Sequence, residues 1–209
     1  MSAWEEQKNL TRDDYLIICG DFGCIWDGSH KDEWWLNWFA RKPFTTLVCF
    51  GNHENYDIIF SKYPIVEMFG NFVFEIRENV FGFLRGAVYE IAGKTFFTLG
   101  GAVSIDRHLR KEGVSWWSQE MPSYQEFQDA FGALEAHNWN VDYVITHCAP
   151  SSVQTKICDK YKYDKLTDFL NYIDKATMFK HWYFGHYHID YKITENHTAI
   201  YNKIIELEV

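Results

Sequence analysis

Short continuous apolar runs alternate with stretches of helical spacing along this chain. Residues 15–19 (YLIIC) end at Gly20, and residues 45–50 (TTLVCF) end at Gly51. Runs this short, without polar alternation, predict strands buried on both faces. Between them, residues 32–39 have helical spacing, with Trp34, Trp35 and Trp38 read as part of a core face. Residues 71–99 are β-rich, in the runs 71–74, 80–85, 88–91 and 95–99, and Ala92-Gly93-Lys94 supplies a hairpin turn. That stretch predicts an antiparallel meander. Ser123-x-x-Glu126 has the form of a capping box, and Phe127, Ala130, Phe131 and Leu134 share one face of the helix it opens. A strand follows at 141–146. A second amphipathic helix covers 164–176, with Leu166, Phe169, Leu170 and Ile173 inward. The C-terminal runs 181–184, 187–193, 199–201 and 204–209 predict strands. No repeat, low-complexity tract or linker interrupts the pattern. The expectation is one α/β domain over residues 1–209, built on mixed sheets packed face to face.

Composition narrows the function classes. A chain of 209 residues buries a core without disulfide staples. Lys and Arg number 20 and Asp and Glu 29, a formal charge of −9. Such a chain is poorly suited to binding nucleic acid or an anionic membrane through a basic surface, so nucleic acid enters only as a substrate. A bound divalent metal reverses the sign locally. The same charge favours a core role for the Trp34-Trp35-x-x-Trp38 and Trp116-Trp117 clusters over base stacking. The five cysteines are odd in number and form no C-x-x-C pair, and the N-terminus has no apolar signal region. These features predict reduced thiols in a cytoplasmic protein. No apolar run approaches the ~18 residues that span a bilayer, so no membrane partner is expected.

The chemistry collects at strand ends. Gly20-Asp21 follows the first strand and Gly51-Asn52-His53-Glu54 the second. Thr146-His147 closes a later strand, and Gly185-His186-Tyr187-His188 follows another. Ligands of open α/β sheets bind beyond the carboxyl ends of strands, and a preceding glycine permits the tight turn that aims a side chain over the edge. Asp, Asn and imidazole together suit Mn, Fe, Ni or Zn rather than Ca, which prefers an all-oxygen shell. Each motif alone is weak, because an Asp after a strand is usually a turn or cap residue. Their ordered conjunction carries the signal.

That conjunction resembles the calcineurin-like metallophosphoesterase superfamily, whose members carry, in order, D-x-H, G-D, G-N-H-[ED], a single His and G-H-x-H. The residues matching the last four motifs span 20–188. The resemblance implies a β-sandwich of mixed sheets flanked by helices and two divalent metal ions. It implies that Asp21 bridges the ions, that Asn52, His147 and His186 complete one site, that His188 belongs to the other, and that His53 donates a proton to the leaving group. Gly100-Gly101-Ala102-Val103-Ser104-Ile105-Asp106-Arg107 and Ser115-Trp116-Trp117 are similar to a bacterial and phage subgroup.

The D-x-H motif is missing from its expected place. Only 14 residues precede Tyr15, and none fits. Asp106-Arg107-His108 matches the string but follows the second metal motif. It is read as a loop near the site mouth, where Arg107 either faces a substrate phosphate or is simply solvated. The second metal site then keeps only Asp21 and His188, too few to hold an ion firmly, and the sheet lacks its first strand and exposes an edge. Either the chain starts late or it is a degenerate member. Residues 4–14, which read as a helix tail entering a strand, favour the first.

The leading reading is a metal-dependent phosphoesterase that hydrolyses a phosphomonoester or phosphodiester by metal-activated hydroxide, with activity impaired by the missing motif. Glu54 is expected to orient His53 or its loop. The alternative is a catalytically degenerate binding protein of the same fold with one metal or none. A third reading makes His147, His186 and His188 a closed structural zinc site. Asp21 and Asn52, on separate strands, argue against it.

Overall fold

A computed structural model describes residues 4–207, without the side chains of residues 5 and 6. Two sheets stack face to face. In the first, β1 (Tyr15–Ile18), β2 (Thr45–Val48) and β5 (Val80–Phe83) run parallel, and β4 (Asn71–Arg77) and β3 (Ile65–Met68) add antiparallel on the far side. In the second, β7 (Lys94–Leu99), β8 (Tyr143–Thr146), β9 (His181–Phe184) and β11 (His197–Ala199) run parallel. β6 (Ala87–Ile91) and β10 (Tyr191–Thr194) flank them antiparallel.

The strand period explains the continuous apolar runs. Leu47 and Cys49 point into the layer between the sheets, where they meet Phe81, Tyr89, Phe96, Tyr143 and Ile145. Val48 and Phe50 point the other way. They pack with Leu36 and Phe39 of α1 (His30–Ala40) and with Tyr56 and Ile59 of α2 (Tyr56–Lys62). The outer face of the second sheet holds Phe97, Leu99, Val144, Trp182 and Phe184. These lie under α3 (Tyr124–Ala136), α4 (Ser151–Ile157) and α5 (Lys165–Ala176). Strands covered on both faces have no polar face to alternate. Both long C-terminal helices open with capping boxes, Ser123 with Glu126 and Asp164 with Thr167.

Three expectations need correction. Residues 71–99 do not form one meander, because β4 and β5 belong to the first sheet and the β6–β7 hairpin to the second. The chain crosses at Leu84-Arg85-Gly86. The Tyr89 hydroxyl pins the crossing by accepting from the Leu84 amide at 2.9 Å and donating to the Phe72 carbonyl at 2.8 Å. The C-terminal strands are shorter than the apolar runs suggest: 187–190 turn rather than extend, and 200–207 are irregular. The Asp190 carboxylate takes the amides of Tyr201, Asn202 and Lys203, donors a ladder would need. The last expected strand ends at residues 208–209, outside the described residues. Trp34 and Trp35 are not core, being 52% and 37% exposed. The inward face of α1 is Asp32, Leu36 and Phe39, and Trp38 lies under the Lys42 ammonium, 3.4 Å from the ring centroid.

β1 is an outer strand. It bonds β2 on one side, and among the described residues no strand pairs with its other side. Among the described residues, no helix is long and apolar enough to cross a membrane.

Candidate metal centre

The carboxyl ends of β1 and β2 in one sheet and of β8 and β9 in the other converge at one rim of the sandwich. Glycines make the approach possible. A Cβ on Gly20 would fall 2.0 Å from His147 Nδ1, one on Gly51 would fall 2.3 Å from Asp21 Oδ1, and one on Gly185 would fall 2.5 Å from the Cys19 carbonyl. The side chains that follow these glycines therefore sit closer together than any bulkier sequence would permit.

His147 stands in the middle, 1% exposed. Its Nδ1 lies 2.8 Å from the Cys19 carbonyl, which can only accept, so Nδ1 carries a hydrogen. Its Nε2 faces Asn52 Oδ1 at 3.1 Å and Asp21 Oδ1 at 3.3 Å. Asp21 Oδ1 also accepts the His53 amide at 3.0 Å. Burial pushes the Asp21 carboxyl up, but the His147 and His53 imidazoles and the His53 amide outweigh it and hold the group well below the usual carboxylate range. Burial pulls the His147 imidazole down, while the Asp21 charge and the Asp21 and Cys19 hydrogen bonds push it up more strongly.

The remaining expected residues surround this trio. The His186 ring lies 5.0 Å from that of His147, and burial together with that neighbour pushes its pKa down to about 3, leaving a neutral ring with a free lone pair. His53 is half-buried, 6.5 Å from the Trp26 ring. His188 is exposed and stacks on Tyr201 at 4.8 Å. Asp21, His186 and His188 all hold left-handed backbone, with φ of 51°, 65° and 53°. Single-residue excursions of this kind in non-glycine residues concentrate at functional sites. A cleft of about 300 Å³ opens onto the group, lined by β1 on one side and by residues 200–204 on the other.

Glu54 turns away from the rim. It is fully buried and accepts the Gly51 amide, which fixes the loop that carries Asn52 and His53. Burial, then the Asp21 charge, push its pKa up to about 7. Arg107 is exposed in a single 3₁₀ turn, Arg107–Leu109, on the excursion after β7. Its neighbours Asp106 and Arg110 pair at 2.8 Å.

Two residues that pattern reading passes over join the group. Asn52 Nδ2 donates to Ser104 Oγ at 3.0 Å, and Ser104 Oγ donates to the buried Glu120 carboxylate at 2.6 Å. Glu120 belongs to no motif, and nothing in the 100–107 segment after β7 singles out Ser104 as the residue that reaches Asn52. Among the described residues, no three His, Cys, Asp or Glu side chains form a ready metal-binding group. The trio around His147 includes an asparagine.

A family model for calcineurin-like phosphoesterases matches residues 2–190. The chain belongs to that family. No curated protein matches it. Membership of the calcineurin-like phosphoesterases accords with the two mixed sheets and flanking helices, and supports a phosphoesterase-type function.

Proposed function

We propose that residues 1–209 act as a single metal-dependent phosphoesterase domain, with one divalent ion held by Asp21, Asn52, His147 and His186. The observation that carries this reading is the meeting of three lone-pair atoms around His147. With Nδ1 bonded to the Cys19 carbonyl, Nε2 faces two oxygens and can satisfy them only by carrying a second proton. One positive charge belongs at that point, and a proton and a metal ion compete for it. The donor set of carboxylate, amide oxygen and imidazole suits Mn, Fe, Ni or Zn.

A bound ion supplies charge for the phosphoryl oxygens and a more acidic water. The chain's own residues do the rest. Asp21 and Asn52 from the first sheet, and His147 and His186 from the second, would hold that ion and, through it, fix where the phosphate lies. His53, on the loop that Glu54 ties down, donates a proton to the departing ester oxygen, a role open to imidazole near neutral pH. Arg107 supplies a cation at the mouth for a phosphate ester. A second ion has only Asp21 and His188 to hold it, which favours a second reading, a binding protein with one metal and no turnover.

Hydrolysis of an aryl phosphate and an aryl phosphodiester with Mn, before and after chelation, tests the proposal. Chelator-sensitive turnover supports it. His53→Ala is expected to lower turnover at least about 100-fold with metal content unchanged. Equal loss of metal and activity overturns the role of His53, and one bound Mn without turnover on either ester selects the binding protein.

A further inference from the structure

Glu120 is a buried carboxylate, 1% exposed, and no Lys or Arg among the described residues pairs with it. Burying such a group is costly unless its oxygens are hydrogen-bonded. Both of its oxygens serve a single residue: Oε1 accepts the Ser104 amide at 2.8 Å, and Oε2 accepts the Ser104 hydroxyl at 2.6 Å. The chain is drawn back to make this contact. Gly101 leaves room for it, because a Cβ there would fall 2.3 Å from the Glu120 carbonyl, and the buried Arg85 guanidinium holds the same carbonyl at 3.1 Å.

The direction of the hydrogens follows from chemistry. A carboxylate has none to give, so the Ser104 hydroxyl must point its hydrogen at Glu120. The Ser104 oxygen can then only accept from Asn52, which turns the NH2 of that amide toward Ser104, 3.0 Å away. The amide oxygen is left facing His147. An amide presented the other way round would offer a metal two hydrogens instead of a lone pair.

We propose that Glu120 and Ser104 are positioning residues that fix the orientation of the Asn52 amide, so that its oxygen, not its nitrogen, faces the metal. The proposal rests on the reading of Asn52 as a ligand. It goes beyond that reading by assigning the ligand's polarity to a carboxylate that touches neither metal nor substrate.

The test is Glu120→Gln, which preserves shape and hydrogen-bond count but reverses the relay. The Gln oxygen takes the Ser104 amide, its NH2 donates to the Ser104 oxygen, and the hydroxyl hydrogen turns to Asn52. The Asn52 oxygen is then held away from the metal. Mn affinity measured by titration calorimetry, with folding checked by circular dichroism, should fall about tenfold or more, the usual range for groups that orient ligands. Adding Asn52→Asp should abolish the effect, because a carboxylate can accept from Ser104 and still face the ion. The double variant should bind Mn within about threefold of Asn52→Asp alone. Glu120→Gln that folds and binds Mn like the parent overturns the relay, as does a double variant that keeps the full loss. Should Glu120→Gln not fold, Ser104→Ala replaces it, with a loss of about threefold or more expected and unchanged affinity counting against the proposal. Asn52→Ala controls for the ligand set: unchanged Mn binding there removes the reading of Asn52 itself, independently of Glu120.

Discussion

On the flank of Asn52 and His147, side chains are almost wholly buried and the polar groups are tied into a continuous network. His147 joins the Cys19 carbonyl to Asn52, Asn52 reaches Ser104, and Ser104 reaches Glu120. On the flank of His188, the imidazole is exposed and stacked on Tyr201, and a cleft lies beside it. The first flank is preorganised before any ion arrives, because its donors are oriented by groups behind them. The second offers an orientable ring with little behind it. A metal centre at the proposed site would have one tight side and one loose side, and its affinity should come from the tight one.

The strongest way to break that contrast is Gly51→Ala. Its methyl would fall 2.3 Å from Asp21 Oδ1 and 2.8 Å from His147 Cε1, with backbone at 2.6 Å preventing retreat. Chemical denaturation should show a loss of about 3 kcal/mol, and Mn binding should disappear with it. His188→Ala on the loose flank should leave Mn affinity at the tight site within about threefold, because no ligand-orienting bond is removed. Comparable losses from the two changes would erase the distinction.

A pH series sharpens it further. Glu54 titrates near 7 in the folded protein against an ordinary value of 4.5, raised by burial and by Asp21. The folded state therefore binds this proton more tightly than the unfolded one. Stability from this group is full below about pH 4.5 and is lost as pH rises through about 7. In metal-free protein, Glu54→Gln should flatten that slope and be the more stable form at pH 8, by up to about 3 kcal/mol. An unchanged slope would show that Glu54 stays ionised.

The smallest effect concerns strain. His188 holds φ of 53° with its side chain exposed. Replacing it with Gly or Asn, which tolerate this backbone, should raise stability by about 0.5 kcal/mol in thermal melts. A decrease would mean that the stacking on Tyr201 outweighs the backbone.

Much of this was legible from sequence. The ends of β1, β2 and β9 could be read because each leaves a short apolar run that stops at a glycine, and that of β8 because its run stops at Thr146-His147. The capping box of α3 and the buried face of α5 were equally local. What could not be read was tertiary. The crossing at Leu84-Arg85-Gly86 sends one half of a β-rich stretch to each sheet, yet both halves carry the same kinds of residues. The helices α2 and α4 have seven residues each, too short for a helical period to declare itself. Trp34 and Trp35 share an apolar segment with Leu36 and Phe39, and only the docking direction of α1 separates exposed from buried. Glu120 belongs to no motif, and nothing in the 100–107 segment singles out Ser104. A buried polar contact between residues 16 apart has no periodic signature.

The outer position of β1 has a kinetic consequence. β2, β8 and β9 are each held by a strand on both sides, whereas β1, which leads to Asp21, is held on one. Opposite it, residues 201–203 are fastened through their amides to a single carboxylate, Asp190. These two segments form the walls of the cleft, and both are held more sparsely than β8 and β9. In native-state hydrogen exchange, amides of residues 16–19 should open before those of β8 and β9. Ions and esters would then enter between walls that breathe, toward a floor that does not.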